Sequence, residues 1–180
     1  MNRPHCWALL AALSLASLTQ AANDPDIIHG LVTGVSDGDT CRVRLDDGRE
    51  VRIRFYGVDT PEHAFPGNWG EQPHADRAEQ FTNGLLYGEK VTVRMRMRVV
   101  DGELKWQKTG SRFVGEVFIC GQSVSRLIVR HGHGWWFKGF AEDDEDLQEL
   151  AAAAKREKRG LWVTGQAVAP ARWRSEGMGR

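Results

Sequence analysis

Two short acidic motifs carry the side chains best suited to binding a cation: DGDT at residues 37–40 and DTPE at residues 59–62. Either motif alone is typical of a turn, because Asp, Gly and Pro satisfy turn geometry. Strand pairing, however, brings Asp39 and Asp59 to one end of the predicted sheet, where two carboxylates repel each other unless a cation bridges them. Carboxylate and carbonyl oxygens are ligands of hard ions, so the pattern predicts a Ca²⁺ or Mg²⁺ site.

Arginines supply the complementary half of such chemistry. A metal ion alone does not neutralise the charge that develops on a phosphoryl group under attack, and guanidinium groups bind phosphate oxygens. Arg54 is the nearest candidate, because it lies five residues before Asp59 on the same predicted strand. The alternation of that strand points Arg54 to the outer face together with Arg52, so a solvated sheet face is the alternative interpretation.

The elements that position these residues begin with three strands, predicted at residues 29–36, 40–45 and 51–58. In the second and third strands, apolar residues occupy the odd positions and arginines the even ones, which indicates one buried face. For both apolar sets to face one core, we expect Leu45 to oppose Val51 and Asp39 to oppose Gly57. Gly48 can supply the positive φ of a bulged hairpin between the two strands.

The rest of the chain predicts helices and two further strands. We expect, in order, a helix from residue 72 or 73 to 87, a strand at 90–99, a polar connection at 101–111, a strand at 113–119, and helices at 123–131 and 143–159. This order predicts an α+β fold, a five-stranded OB-fold barrel with three packed helices. The domain is expected over residues 27–163, followed by a loose tail at 164–180.

The first residues predict export. Residues 1–21 combine a basic start with an apolar stretch and end in small residues, which is the layout of a cleaved signal peptide. The stretch is too short and too interrupted to span a bilayer comfortably, and a retained membrane anchor is the alternative. We therefore expect a periplasmic or secreted protein without membrane attachment. Cleavage leaves Cys41 and Cys120, which form either one disulfide or two buried thiols.

Composition is typical of one soluble domain, which we expect to be monomeric: 180 residues, 41% hydrophobic and 27% charged. The formal net charge is zero, so global charge does not indicate nucleic-acid binding. Its distribution is more informative. Residues 90–112 hold seven basic and two acidic residues, whereas residues 141–150 hold six acidic residues and no basic one. Such segregation can build a local basic face.

The two motifs, in this order and at this separation, resemble those of the staphylococcal nuclease (thermonuclease) family. The resemblance extends over about residues 29–162 and includes VRHG at 129–132 and KREKRGLW at 155–162. It implies a barrel with three helices and a Ca²⁺ ion held by Asp39, Asp59 and the backbone carbonyl of Thr60.

The resemblance also implies catalytic roles. Glu62 would activate or orient the attacking water, while Arg54 and Arg112 would bind phosphate and stabilise the transition state. The family usually has Tyr-Gly-Arg where this chain has KTGSR at 108–112, with a serine inserted and no tyrosine. Lys108 is our candidate for a substrate-binding residue there. The implied activity is calcium-dependent hydrolysis of DNA or RNA that leaves a 3′-phosphate.

Two other functions fit the sequence. The same barrel can bind nucleic acid strands without cutting them, but such a module has little need for two acidic motifs around an arginine. An exported interaction protein could dock a partner through the acidic segment 142–146. An acidic run is, however, usual at a helix start, where it suits the helix dipole. The combined motifs therefore favour a nuclease.

Overall fold

The computed structural model describes residues 26–179, and the predicted signal peptide at 1–21 lies outside the described residues. The strands are β1 Ile27–Asp37, β2 Thr40–Leu45, β3 Glu50–Phe55, β4 Val58–Asp59, β5 Lys90–Met95, β6 Met97–Val100, β7 Glu103–Trp106, β8 Lys108–Thr109, β9 Arg112–Ile119, β10 Gln122–Ser123 and β11 Trp135–Trp136. The α-helices are α1 Ala75–Leu86, α2 Val124–Arg130, α3 Lys138–Ala141, α4 Glu145–Arg156 and α5 Pro170–Ser175, and Gly160–Trp162 is a 3-10 helix.

Five of the strands close into a barrel. β1 pairs antiparallel with β2 on one side and with β5 on the other, and β2 pairs antiparallel with β3. β9 completes the ring, because it pairs parallel with β3 and antiparallel with β5. Closure satisfies both edges of each strand in the ring. The structure is thus the predicted α+β fold, a five-stranded OB-fold barrel with packed helices.

The apolar residues that alternate along the strands face the inside of the barrel, as predicted, and form the core. The fully buried side chains there include Cys41, Val43, Ile53, Phe55, Val93 and Val117. Three arginines of the alternate positions, Arg42, Arg44 and Arg52, are exposed, as predicted. Burying a side chain of this size contributes roughly 1.5–3 kcal/mol, so the barrel interior is the main source of stability for the site at its end.

The register between β2 and β3 differs from the prediction by two residues. The N–H of Leu45 donates to the carbonyl of Arg49 at 2.9 Å, so Leu45 does not lie opposite Val51. The connection is a tight three-residue loop that ends at Gly48, whose φ of 84° closes it. A slip of two residues preserves the alternation, so the same side chains remain inside the barrel.

Two predicted strands are interrupted. The strand predicted at 51–58 separates into β3 and β4, and the strand predicted at 90–99 separates into β5 and β6. The connection predicted at 101–111 contains β7, which pairs with β6 to form a hairpin. Val99 and Leu104 of this hairpin are 68% and 69% exposed. The hairpin therefore presents apolar side chains to solvent beyond the barrel.

The three predicted helices correspond to α1, α2 and α4. α1 begins at Ala75 rather than at residue 72 or 73, because His74 has a φ of 74°, which a right-handed helix does not accommodate. Asp144 caps α4, since its side chain accepts from the N–H of Leu147 at 3.0 Å. Across residues 26–179, no helix combines the length and apolar character that crossing a membrane requires.

The C-terminal segment 164–180, predicted to be loose, is instead docked on the domain from Val168 to Gly179. Trp173 of α5 is 8% exposed, and its indole N–H donates to the carbonyl of Gly70 at 2.9 Å. The side-chain amide of Gln72 donates to the carbonyl of Val168 at 2.7 Å. The apolar burial of one indole and these hydrogen bonds dock α5 on the segment that follows the second acidic motif.

The cysteines do not form the Cys41–Cys120 bridge that the sequence left open. Cys41 is a free thiol in β2 and is fully buried. Burial raises the pKa of the Cys41 thiol to about 12, because the thiolate has no solvation inside the barrel. Cys120 is exposed in the turn after β9, so the prediction of two buried thiols is wrong for this residue.

Candidate active site

A cavity of about 350 Å³ opens at one end of the barrel between the two acidic motifs. Its walls include five of the predicted site residues, namely Asp39, Arg54, Thr60, Glu62 and Arg112. These residues come from the turn before β2, from β3, from the loop after β4 and from β9. Barrel closure therefore brings together side chains that the chain order separates.

The floor of the cavity is an ion-pair bridge centred on Arg54. Its Nη1 lies 2.9 Å from Oδ2 of Asp39, and its Nη2 bonds Oδ1 of Asp59. The three residues are 8%, 2% and 3% exposed, respectively. Burial alone would lower the pKa of Arg54, but the two aspartates outweigh it and raise that pKa, so the guanidinium is charged.

The position of Arg54 corrects the interpretation of a solvated sheet face. Alternation does direct its side chain away from Ile53 and Phe55, which are inside the barrel, as the sequence predicted. At this end of the sheet, however, the two acidic motifs cover the outer face and enclose the guanidinium. Arg52, which lies two residues earlier on the same face of β3, is exposed.

Backbone contacts hold the two carboxylates around this guanidinium. The N–H of Phe55 donates to the carbonyl of Asp39 at 2.8 Å, so Asp39 lies beside the end of β3. Asp59 lies opposite Trp135 in the β4–β11 pair. The N–H of Thr60 donates to Oδ2 of Asp39 at 3.3 Å, which links the two motifs directly. The predicted meeting of the motifs at one barrel end is thus observed.

The first motif requires its glycine for close approach. A Cβ on Gly38 would lie 2.8 Å from the Cβ of Ala78 in α1 and 2.9 Å from the Cβ of Thr60. The hydroxyl of Thr82 in α1 donates to the carbonyl of Gly38 at 2.6 Å. α1 therefore holds the DGDT turn against the DTPE turn, and a side chain at position 38 would separate them.

Glu62 is held through both its backbone and its carboxylate. Its N–H donates to Oε1 of Gln72 at 3.0 Å, and its carbonyl accepts from the N–H of Gln72 at 2.9 Å. Its Oε1 bonds Nη1 of Arg174, a residue of α5. Nη2 of Arg174 lies 3.6 Å from Oδ2 of Asp59. The predicted base thus shares a guanidinium with a residue of the predicted metal site.

The structure brings Arg112 to the cavity but places Lys108 outside it. Nη1 of Arg112 donates to the hydroxyl of Thr40 at 3.2 Å, so the inserted serine does not displace this arginine from the site. Lys108 is exposed, with its Nζ 4.6 Å from the centroid of the Phe113 ring. It lines a neighbouring groove beside the β6–β7 hairpin. Thr109 lines the cavity, so the groove and the cavity adjoin.

Crowding of acidic groups raises their pKa values. Burial first, and then the charge of Asp39, raise the pKa of Asp37 and of Asp59 above the ordinary range of a carboxyl group. Burial likewise raises the pKa of Glu62, while Arg174 partly opposes that change. A further cation among these groups would stabilise their ionised forms.

The residues of the predicted metal site fit a hard cation. Asp39 and Asp59 offer carboxylate oxygens around one guanidinium, and Thr60 follows Asp59 directly. All of these donors are oxygens of buried residues at or beside the cavity, which suits Ca²⁺ or Mg²⁺ better than a softer metal. Asp37 adds another carboxylate that lines the same cavity.

A second group of potential metal ligands lies outside the cavity. Ligand atoms of His63, Glu71 and Asp76 are within 4.8 Å of one another. The ring nitrogens of His63 are, however, each 2.8 Å from a carboxylate, one of Glu71 and one of Glu79. None of these residues lines the cavity, so the cluster is not part of the candidate site.

Sequence reasoning did not identify Asp37 and Arg174 as site residues. Asp37 stands within the DGDT motif, so a local pattern did mark its position. Arg174 is separated from Glu62 by 112 positions and lies in a segment predicted to be loose. No spacing rule connects two residues so far apart, and only the docking of α5 reveals their contact.

Comparisons with known proteins identify a family that this chain resembles. Residues 52–164 match the family described as staphylococcal nuclease homologue. The chain is 32% identical over 148 residues to a protein of Escherichia coli O157:H7 named an uncharacterized endonuclease, which covers 82% of this chain and 85% of that relative. It is 30% identical over 191 residues to Protein ParB of Escherichia coli, and the match covers 100% of this chain and 98% of that relative. Endonuclease YhcR of Bacillus subtilis (strain 168) is 28% identical over 146 residues, covering 74% of this chain and 11% of that relative.

The buried bridge predicts that Arg54→Met will destabilise the protein by about 3–5 kcal/mol at pH 7, because two buried carboxylates lose the guanidinium that lies between them. Urea unfolding measures the loss. The carboxyl pKa values of the folded variant then lie above their unfolded values, so acidification protonates them and the deficit relative to wild type should shrink toward pH 5.

The matched control is Arg52→Met, on the same strand and the same face but exposed. Its unfolding free energy should stay within about 0.5 kcal/mol of wild type. Equal destabilisation by both substitutions would show that the bridge has no special role in stability.

Proposed function

This chain belongs to the staphylococcal nuclease family and is a nuclease, and from that premise we propose that it is an exported, calcium-dependent enzyme that hydrolyses phosphodiester bonds in DNA or RNA. The observation that carries the proposal is the cavity in which Arg54 bridges two buried aspartates, with Glu62 and Arg112 on its walls. Acidic oxygens beside arginines complement a phosphodiester that approaches together with a metal ion.

Asp39, Asp59 and the backbone carbonyl of Thr60 would hold the Ca²⁺ ion. When bound, the ion would supply Lewis-acid polarisation of a phosphoryl oxygen. The burial of both aspartates supports this assignment, since buried carboxylates are destabilising unless positive charge compensates them. Arg54 bridges both carboxylates and Arg174 lies 3.6 Å from Asp59, but Asp37 and Glu62 add two further acidic groups, so the carboxylates around the cavity outnumber these two guanidinium groups.

Glu62 is proposed to accept the proton of the attacking water. The water oxygen forms a bond to phosphorus as the bond from phosphorus to the 5′-oxygen breaks, so the phosphate stays on the 3′ side. The 5′-oxygen leaves as a hydroxyl after taking a proton from solvent. Oε1 of Glu62 is engaged by Arg174, and within residues 26–179 no donor is bonded to Oε2. That oxygen is available to a water molecule.

Arg54 and Arg112 are proposed to bind the phosphoryl oxygens. A guanidinium has five N–H donors, and in Arg54 the contacts with the aspartates involve Nη1 and Nη2. Donors of Arg54 that the aspartates do not use would remain for phosphate. Arg112 makes one bond to the neutral hydroxyl of Thr40, so most of its donors are available. Both charges would stabilise the additional negative charge of the transition state.

The substrate strand is proposed to continue from the cavity into the adjoining groove beside the β6–β7 hairpin. Lys108, Lys105 and Arg98 line that groove and give it positive charge, while Trp106 offers an aromatic face. Cations that follow a phosphate backbone together with aromatic rings suit single-stranded nucleic acid. Lys108 therefore remains a proposed substrate-binding residue, at a position next to the reacting phosphate rather than on it.

A non-catalytic nucleic-acid-binding barrel is the second candidate. The exposed cations of the groove would serve binding equally well. Binding alone, however, does not require a buried acidic floor, because anions at that position oppose the phosphate backbone. The acidic floor therefore favours hydrolysis.

The proposed Ca²⁺ site predicts that cleavage depends on the metal ion. We expect cleavage of fluorogenic single-stranded DNA or RNA in the presence of Ca²⁺ and its loss with chelator, because the substrate phosphate would then face the acidic groups of the cavity without the metal ion. Asp39→Asn should weaken the response to Ca²⁺, whereas Asp47→Asn, in the exposed β2–β3 turn, should not. Tight binding of either substrate without cleavage under every metal condition would favour the non-catalytic barrel.

Glu62→Gln should reduce turnover by about 100-fold or more, because glutamine does not accept a proton. Affinity for nucleic acid should remain close to that of wild type, because the cations that bind the strand are unchanged. Steady-state kinetics and fluorescence anisotropy measure the two quantities. Glu142→Gln, on an exposed surface, is the matched control. Wild-type turnover in Glu62→Gln would remove this residue from the mechanism.

Export predicts a shortened chain in a bacterial host. N-terminal sequencing of the protein recovered outside the cytoplasm should begin close to residue 22. Ala21→Arg should block processing, because signal peptidase requires small residues before the cleavage site. A full-length chain that stays in the membrane fraction would instead support the retained anchor.

A further inference from the structure

We propose that Arg174 of α5 is a positioning residue for Glu62, and that the C-terminal segment 164–179 is therefore part of the active site. The inference rests on the proposed function, because it assumes that Glu62 handles the attacking water. It adds a residue and a segment to the machinery that the sequence motifs define.

The contact geometry suits the holding of a carboxylate in one orientation. Nη1 of Arg174 bonds Oε1 of Glu62, and Nη2 of the same guanidinium lies 3.6 Å from Oδ2 of Asp59. The planar guanidinium thus fixes the spacing between the proposed base and a proposed metal ligand. Arg174 engages Oε1 alone, which leaves Oε2 of Glu62 for water.

Electrostatics explains why Glu62 needs such a partner. The nearby charges of Asp59 and Asp39 repel its carboxylate, and its side chain is 20% exposed. Without a counterion, the ionised carboxylate would be more stable if it rotated away from the two aspartates toward solvent. Arg174 opposes that rotation because its charge attracts Glu62 and Asp59 at once.

The anchoring of α5 gives this contact a rigid origin. Trp173, adjacent to Arg174, is fixed to Gly70 through its indole N–H. A Cβ on Gly70 would lie 1.6 Å from the carbonyl oxygen of Gly179, so two backbones meet there with no room for a side chain. Gln72 bonds Val168 of the tail as well as the backbone of Glu62.

These bonds form a closed circuit through Glu62. The backbone of Glu62 is hydrogen-bonded to Gln72, and Gln72 is hydrogen-bonded to Val168 in the C-terminal segment. Arg174 of the same segment is hydrogen-bonded to the carboxylate of Glu62. A docked segment that fixes both ends of one side chain is a support for that side chain. A loosely held tail would not provide it.

The test uses the full chain with Arg174→Ala and Arg174→Lys. Because a misplaced catalytic group loses rate without losing substrate contacts, we expect kcat to fall about 10- to 100-fold in Arg174→Ala while KM stays within about twofold. Arg174→Lys should recover part of the rate, since one ammonium can pair with Glu62 but cannot bridge to Asp59. Thermal unfolding of each variant establishes that it is folded.

The double variant Arg174→Ala with Glu62→Gln separates positioning from general structural support. If Arg174 acts through Glu62, its removal should change kcat less than about twofold in the Glu62→Gln background. Arg172→Ala is the matched control, because Arg172 lies on α5 but is exposed and pairs with Glu176 at 2.7 Å. Its kcat should equal that of wild type.

The contrary outcomes are distinct. A higher kcat in Arg174→Ala would mean that this arginine blocks the site, and an unchanged kcat would mean that it has no role; either overturns the inference while leaving the nuclease proposal intact. Additive losses in the double variant would assign Arg174 to structural support alone and would also overturn it. An inactive wild-type protein would overturn both proposals.

Discussion

One buried guanidinium between two buried carboxylates is the constraint on which the site depends. Arg54 comes from β3, Asp39 from the turn before β2, and Asp59 from β4, so their meeting requires the register of β2 on β3 and the bend after Phe55. Each charge would be strongly destabilising alone in this environment, and together they are stable only when correctly placed. The packing of α1 on Gly38 and the pairing of β4 with β11 provide that placement.

The formal charges of the side chains around the cavity nearly cancel, with one more carboxylate than guanidinium group. Asp37, Asp39, Asp59 and Glu62 face Arg54, Arg112 and Arg174. A divalent cation would turn the excess of one negative charge into an excess of one positive charge, and a phosphodiester would neutralise that excess. Under the proposed function, the site would therefore suit a metal ion and a phosphate that arrive together better than either one alone.

Local patterns of the sequence were enough to predict the barrel and the meeting of the two acidic motifs at one of its ends. Alternation identified the buried residues of β2 and β3, and the two acidic motifs identified Asp39, Asp59 and Glu62. Register was not predictable from alternation, because a slip of two residues preserves it, and the hairpin loop at Gly48 decides between the alternatives. The burial of Arg54 was also hidden, since what covers it belongs to distant turns. Arg174 lay beyond any local rule, because its role arises from docking.

The fold by itself does not explain why the acidic groups are buried. An OB-fold barrel that only bound nucleic acid would gain affinity from exposed cations, and each carboxylate at its binding end would weaken attraction to phosphate. Here Asp39 and Asp59 are withdrawn from solvent, raised pKa values mark Asp59 and Glu62, and a remote segment supplies Arg174 to one of them. Such an arrangement opposes simple binding, whereas the proposed chemistry at the phosphate, which would require a cation and a positioned base, accounts for it.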